Sequence, residues 1–226
     1  MNTSDRGFTL VELLVAMAVG MIVLGAVYAL FTAQSKHLAT QEQLAELHQN
    51  ARVAMDMMVR ELSMAGYNQR NAATLAAVPT IPEVPRCTNA LVAAGTRCVG
   101  ITNAVAATIS FTADLNGNGD TTAGSSNPNE NIVYNVYSSS GIQALGRTSN
   151  NTKSPVVEYV QSLNFIYYDG SGNITANLAD IRRVKITIVI RTAKQDPNYT
   201  DPTYGDHYRH YTLSSFAFPR NLALSN

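Results

Sequence analysis

Oxygen-bearing side chains alternate along one polar segment of the chain, DLNGNGDTTAGSSNPNENI at residues 114–132. The first four are Asp114, Asn116, Asn118 and Asp120. Alternating oxygen ligands around a glycine, here Gly119, are typical of the first half of an EF-hand-type loop and predict a Ca²⁺ site. Ser125 stands where such a loop carries its bidentate glutamate, so Glu130 contributes a ligand only if the segment folds back. The alternative is a plain polar hairpin turn, because Asn-Gly pairs favour tight turns.

One carboxylate, Glu12, stands inside an apolar run that extends from Phe8 to Ala33. An ionisable side chain is costly within a bilayer, so its presence there indicates a function. As a helix, at about 1.5 Å per residue, the run would exceed the ~30 Å hydrocarbon core. A secretory signal would be shorter and would end in a cleavage site, whereas here the polar leader MNTSDRG precedes the run. We expect a membrane-spanning helix whose carboxylate needs a compensating partner.

Composition excludes several classes of protein. The chain has 226 residues with 16 basic and 16 acidic side chains, so it lacks the basic excess expected of a nucleic-acid-binding protein. Its two cysteines, Cys87 and Cys98, are too few for a four-cysteine zinc site. The sequence contains neither a G-x-x-x-x-G-K-[ST] phosphate loop nor a G-x-S-x-G nucleophile elbow. We expect a protein that is not an enzyme and that requires no cofactor, with Ca²⁺ as the one candidate ion.

The first element that must position these residues is a long helix. After Ala33, apolar residues recur at steps of three and four, which predicts one buried face of a helix. Gly66 is suited to a C-terminal cap, so we expect one helix from Phe8 to Ala65. The residues of the predicted buried face are Leu44, Leu47, Ala51, Met55, Met58 and Leu62.

Beyond residue 78, alternating apolar residues punctuated by glycine and proline predict β-strands. In one of them the even-numbered apolar residues from Val184 to Ile190 share a face, which indicates a half-buried antiparallel strand. The expected fold class is α+β, with the long N-terminal helix packed on antiparallel sheet. The predicted strands are ATISFTA (107–113), ENIVYNVYS (130–138), QSLNFIYYD (161–169), IRRVKITIVIRT (181–192) and RHYTLSSFAF (209–218).

The segment RG-FTLVE, followed by the apolar helix, resembles the leader and cleavage site of type IV prepilins. That resemblance implies a pilin fold and cleavage by prepilin peptidase after Gly7, with Phe8 as the N-methylated first residue of the mature chain. It also implies that the Glu12 carboxylate meets the N-terminal amine of a neighbouring subunit during assembly. The implied organisation is a leader at 1–7, a transmembrane and assembly segment at 8–34, an amphipathic helical segment at 35–66 and a β-rich periplasmic domain at 67–226.

Three later segments, ARVAMDMMVRELSMAGY, VQSLNFIYYD…IRRVKITIVIRT and YTLSSFAFPRNL, look like PilW-family minor pilins. This resemblance implies a minor pilin that primes assembly at the tip of a type IV pilus. Its partners would be prepilin peptidase, other minor pilins, the major pilin and, before assembly, inner-membrane lipid. The chain would first cross the bacterial inner membrane once, with its globular domain in the periplasm, and would then join the pilus at the cell surface. In the oxidising periplasm we expect a Cys87–Cys98 disulfide.

Two alternatives stay open at this point. The first is a minor pseudopilin of the J type in a type II secretion system, since such proteins are related to PilW-family pilins. The second is a membrane-anchored periplasmic module that uses its β-rich domain for binding or adhesion. Finding the processed chain in sheared pili would separate the three hypotheses.

Overall fold

A computed structural model of the chain describes residues 9–68 and 84–223. The chain divides into two compact units, with the boundary between Ala45 and Glu46. The first unit contains the N-terminal part of one long helix, and the second contains the end of that helix and both β-sheets.

Helix α1 runs from Leu10 to Ser63 without interruption. The sequence predicted a helix from Phe8 to Ala65, and of these bounds Phe8 lies outside the described residues. At the other end, the helix ends at Ser63, two residues before the predicted Ala65. Residues 64–66 form turns, and Gly66 takes a left-handed backbone with a φ of +78°. A glycine adopts this conformation without a steric penalty, which is why the chain leaves the helix there.

The last five turns of α1 bury one face in the second unit. The predicted residues at steps of three and four are buried from Leu47 onward, while Arg52, Asp56 and Arg60 on the other side are exposed. His48 also stacks on Tyr211 with ring centroids 4.2 Å apart. The periodicity therefore predicted the buried face correctly. Its buried residues are Leu47, Ala51, Ala54, Met55, Met58 and Leu62.

The described strands form two antiparallel sheets. The first has the order β1-β2-β3-β4-β5 and the second the order β6-β7-β8. Strands of the first sheet are β1 (Gly100–Val105), β2 (Thr108–Thr112), β3 (Asn131–Ser139), β4 (Ile142–Ser149) and β5 (Thr152–Glu158). Strands of the second sheet are β6 (Val160–Tyr168), β7 (Arg183–Arg191) and β8 (His210–Ala217). Short helices occur at α2 (Asn89–Ala93) and α3 (Arg220–Ala223), with a 3₁₀ helix at Leu178–Asp180.

The α+β class with a long N-terminal helix and antiparallel sheet is confirmed. All five predicted strands are present, as β2, β3, β6, β7 and β8. The even-numbered residues from Val184 to Ile190 are buried, so the face predicted for β7 is the core face. Strands β1, β4 and β5 were not predicted, and the strands are divided between two sheets. Two-residue turns with positive φ at both positions join β3 to β4 at Ser140–Gly141 and β4 to β5 at Asn150–Asn151.

Candidate functional site

The predicted cleavage residues, Gly7 and Phe8, lie outside the described residues, so the first described side chain of this region is that of Thr9. Thr9 and Glu12 cap the start of α1 together. The Thr9 N–H and hydroxyl each donate to Glu12 Oε2 at 2.9 Å, and the Glu12 N–H donates to Thr9 Oγ1 at 3.2 Å. This reciprocal arrangement is a capping box. The sequence analysis identified Glu12 but missed Thr9, although T-x-x-E is the sequence signature of such a box.

Apolar side chains cover the N-terminal part of α1 on all sides and are exposed within the first unit. Leu10, Met21 and Ile22 are each more than two-thirds exposed. By length and composition, α1 is able to cross a membrane, and it lies near the N-terminus. An apolar surface of this size is covered in a working protein, either by lipid or by other helices. Glu12 is the acidic residue of its first turn.

Glu61, near the end of α1, connects the helix to β3 and β4 within the second unit. Its Oε2 accepts the Tyr134 hydroxyl at 2.5 Å, and its Oε1 lies 2.9 Å from Arg147 Nη2. Both ends of the ion pair are largely buried. Burial raises the pKa of Tyr134, and the hydrogen bond to Glu61 raises it further, so the hydroxyl stays a donor. This network holds the folded domain on its helix, and the sequence analysis did not identify it.

Cys87 and Cys98, both buried, are joined by a disulfide, as the sequence analysis expected. Two threonines attach this region to its neighbours. Thr112 at the end of β2 donates its hydroxyl to the Cys98 carbonyl oxygen at 2.6 Å, and Thr121 donates to the same oxygen at 3.3 Å. The Cys98 backbone therefore accepts hydrogen bonds both from the sheet and from the polar segment that follows β2.

That polar segment, residues 114–130, links the antiparallel neighbours β2 and β3 and folds back on itself. Glu130 Oε1 accepts the N–H groups of Leu115 and Asn116 at 2.9 Å each. Asp114 is 0 % and Glu130 1 % exposed, so both carboxylates are buried. The fold-back that Glu130 needs in order to join the alternating residues is present. The segment also connects two antiparallel neighbours, as the alternative of a plain polar hairpin turn expected, so both the Ca²⁺ site and the plain turn stay predictions.

Backbone N–H groups of the loop bind the alternating side chains. Asp114 Oδ1 accepts from Gly117 at 2.7 Å, and its Oδ2 accepts from Gly119 at 3.1 Å. The side-chain oxygen of Asn116 accepts the N–H two residues on at 2.9 Å, and that of Asn118 does the same at 2.7 Å. Each of these oxygens has a second lone pair, with which it is able to accept another hydrogen bond or bind an ion. The loop thus holds these oxygens in fixed positions without using all of their acceptor capacity.

Asp120 differs from the other alternating residues because its charge has partners of its own. Its Oδ1 accepts the N–H and the hydroxyl of Thr122 at 3.0 and 2.8 Å, and the Arg97 guanidinium lies 3.7 Å away. The hydrogen bonds from Thr122 lower the pKa of Asp120, and the charge of Arg97 adds to this effect. Of the predicted ligands, Asp120 is therefore the one whose carboxylate already has hydrogen bonds from Thr122 and a nearby positive charge on Arg97.

Asn127 is a buried member of the loop that the sequence analysis missed. Its Oδ1 accepts from the side-chain amides of Asn116 at 3.3 Å and Asn118 at 2.7 Å. Both amide groups are thereby oriented, with their oxygens turned toward the backbone of the loop. Within residues 9–68 and 84–223, no three His, Cys, Asp or Glu side chains form a group that can hold a metal ion. A cation in this loop would therefore depend on the asparagine oxygens as well as the carboxylates.

Comparison with known families gives two matches along the chain. The prokaryotic N-terminal methylation motif matches residues 2–28, the stretch that contains the predicted cleavage residues, Glu12 and most of the predicted leader. Prepilin peptidase-dependent protein B matches residues 40–208, which is well over half of the chain. The family that matches the globular part is thus named for its dependence on prepilin peptidase, and it carries a different name from the PilW family expected from the sequence.

Among curated proteins, the chain is similar to the pilin-like protein PilA3 of Thermus thermophilus, with 37% identity over 67 residues. The alignment covers 30% of this chain and 29% of that relative, so the chain spans less than a third of the relative's length. No solved structure matches the chain. The chain is a prepilin-like structural protein and not an enzyme, and it belongs to the prepilin peptidase-dependent protein B family.

Proposed function

We propose that this chain is a minor pilin that is cleaved between Gly7 and Phe8, methylated at the new amine and built into a type IV pilus, where it primes assembly at the tip. The observation that carries the proposal is the N-terminal methylation motif at residues 2–28, followed by an exposed apolar helix that contains Glu12. The similarity to a pilin-like protein also supports this proposal. The finer assignment to the PilW family is part of this proposal.

The chemistry of assembly follows from Glu12 and the amine that cleavage creates. A free α-amine titrates near pH 8 and a carboxylate near pH 4, so the two attract one another at neutral pH. In lipid each charge is costly alone, and removing one partner strands the other. The pairing of Glu12 with the Phe8 amine of a neighbouring subunit therefore favours one axial register between helices. The capping box with Thr9 satisfies the carboxylate while the subunit is still alone in the membrane.

The proposed route of the protein begins in the bacterial inner membrane. The segment from residue 8 to 34 spans the bilayer once, and the β-rich domain lies in the periplasm, where Cys87 and Cys98 are oxidised. Prepilin peptidase acts first, and the other minor pilins and the major pilin are the later partners. In the filament the apolar part of α1 exchanges lipid for neighbouring helices.

Filament shearing tests this proposal directly. Pili sheared from cells that express the wild-type chain should contain the processed protein, and cells without the chain should carry fewer pili. Gly7→Leu is the matched control, because a bulky residue at the cleavage position should leave the precursor uncut in the inner membrane. Loss of type II secretion with normal piliation would instead identify a minor pseudopilin. Normal piliation and secretion, with the chain retained in the membrane, would favour a periplasmic binding or adhesion module.

A further inference from the structure

Glu130 carries a buried oxygen that has no hydrogen-bond partner within residues 9–68 and 84–223. The residue is 1 % exposed, and Oε2 is the unpaired atom, although Oε1 accepts two backbone N–H groups of the loop. A buried polar atom without a partner is destabilising, and more so when it is charged. Protonation would not remove the cost, because an Oε2–H would itself need an acceptor. Glu130 Oε2 is therefore a buried acceptor atom in the loop that a bound cation would satisfy.

The charges around Glu130 also favour a bound cation. Asp114 and Glu130 are both buried in this loop, at 0 % and 1 % exposed. Asp120 pairs with Arg97, whereas within the described residues no Lys, Arg or His forms an ion pair with Asp114 or Glu130. Two carboxylates that are buried in one loop repel one another, and a cation bound between them would remove this repulsion.

We propose that Asp114, Asn116, Asn118 and Glu130 bind one Ca²⁺ ion in the loop between β2 and β3. The first three residues supply oxygens at alternating positions, and Glu130 supplies the unpartnered Oε2 from the end of the segment. Gly117 and Gly119 have φ values of +74° and +75°, a left-handed backbone that lets the chain turn tightly around the ion. Glu130 thus supplies one oxygen, Oε2, in place of the bidentate glutamate that the linear pattern lacks at Ser125.

The ligand set selects calcium by its chemistry. It consists of carboxylate and amide oxygens, which are hard ligands, and it contains no imidazole nitrogen. Cysteine sulfur is not available, because both cysteines of the chain are in the disulfide. Calcium accepts an irregular shell of six to eight oxygens and completes it with water, whereas Mg²⁺ demands near-octahedral geometry. A mixed set from a folded-back loop therefore suits calcium better.

Calcium in this loop stabilises the junction between α1 and the first sheet. The Asp114 N–H donates to the Tyr67 carbonyl oxygen at 2.8 Å, and the Gly66 N–H donates to the Thr112 carbonyl oxygen at 3.0 Å. Gly66 is the last residue of the turns that follow the helix, and Tyr67 comes directly after it. Thr121 adds the hydrogen bond to Cys98 described above. With Ca²⁺ bound, the loop would hold the Asp114 side of this junction in place. This role does not depend on whether the chain enters a pilus.

The test is a thermal melt of the full-length chain in mild detergent, with CaCl₂, with MgCl₂ and with EDTA. If only the folded state binds, calcium about a hundredfold above its Kd should raise Tm by roughly 5–10 °C in a domain of this size, and magnesium should raise it much less. Glu130→Gln removes the charge with little change in shape, so its calcium shift should disappear. In EDTA its Tm should stay close to that of the wild type, because the loss of the buried charge is offset by the buried N–H donors of the new amide.

Two further variants make the result decisive. Asn118→Ala changes a residue at the surface of the loop and should fold normally, yet it should lose most of the calcium shift. Asp169→Asn is the matched control, because Asp169 Oδ1 also accepts two turn N–H groups, at 2.8 Å each, but does so in an exposed turn. Its calcium shift should equal that of the wild type. Equal melting curves with calcium and EDTA for the wild type, or an undiminished shift in Glu130→Gln and Asn118→Ala, would overturn the proposal.

Discussion

Thr9 and Glu12 hold one another at the first turn of α1, with the Thr9 hydroxyl both donating to the carboxylate and accepting the Glu12 N–H. The carboxylate thus has two donors within its own helix, from the N–H and the hydroxyl of Thr9. Both come from one neighbouring residue, so the carboxylate is able to exchange them for a stronger cationic partner. Under the proposed function, the capping box accounts for how Glu12 is tolerated before assembly, and its charge accounts for the proposed pairing afterwards.

Glu12→Ala should therefore impair assembly without impairing insertion or cleavage. A less polar segment partitions into the membrane at least as well, and the cleavage position is unchanged. The amount of processed chain in the membrane should match the wild type, while the amount in sheared pili should fall at least about tenfold, the equivalent of ~1.4 kcal/mol. Immunoblots of the two fractions measure this.

Thr9→Ala is the control for Glu12, because it removes the hydroxyl of the capping box and keeps the charge. It should cost about 1 kcal/mol of helix stability and leave incorporation close to normal. Full incorporation of Glu12→Ala would mean that the carboxylate has no role in assembly.

Glu61→Ala should destabilise the second unit strongly, since it strands Arg147 and removes the acceptor of Tyr134. We expect a loss of about 2–4 kcal/mol in the free energy of unfolding, because the pair is largely buried. The comparison is Asp196→Asn, which weakens the more exposed ion pair with Arg209 and should cost less than about 1 kcal/mol. Chemical denaturation measures the loss in the free energy of unfolding for both variants. Equal losses would contradict the larger contribution of Glu61 to stability.

Reduction of the Cys87–Cys98 bond should lower stability by about 2.5–3 kcal/mol, the chain-entropy value for a loop this short. The matched experiment is the double variant Cys87→Ser and Cys98→Ser, whose stability should not change when a reductant is added. Alkylation of the native wild-type protein should label no thiol. Two labelled thiols in protein taken from the periplasmic side of intact cells would contradict the disulfide.

Local patterns in the sequence predicted the features that depend on neighbours along the chain. The buried face of α1 follows from its spacing, and the strands that were predicted alternate apolar and polar residues. Strands β4 and β5 were missed because they are largely polar or interrupted by Gly146 and Pro155. Gly146 is needed because a Cβ there would lie 2.7 Å from the Tyr137 ring, and Pro155 is tolerated because β5 is an edge strand. The signals that were overlooked are the turn residues Ser-Gly at 140–141 and Asn-Asn at 150–151.

The residues of the candidate site also fall into two groups, those that a local motif marks and those that only the folded domain brings together. Glu12 and the alternating loop residues were found because a motif marks them, and Thr9 could have been found from T-x-x-E. Glu61 could not, because its partners Tyr134 and Arg147 stand 73 and 86 residues away and meet it only in the folded domain. The burial of Glu130 has the same origin, since the fold-back of the loop is a property of the β2–β3 pairing.

The most direct test of the account is the mass of the N-terminal peptide of the chain recovered from sheared pili. Cleavage after Gly7 and methylation by prepilin peptidase predict a peptide that begins with N-methylphenylalanine at Phe8 and lacks residues 1–7. The same peptide should be absent from cells without the peptidase, which should retain the Met1 leader. Assembled protein that still carries the leader, or that begins at another residue, would contradict the account.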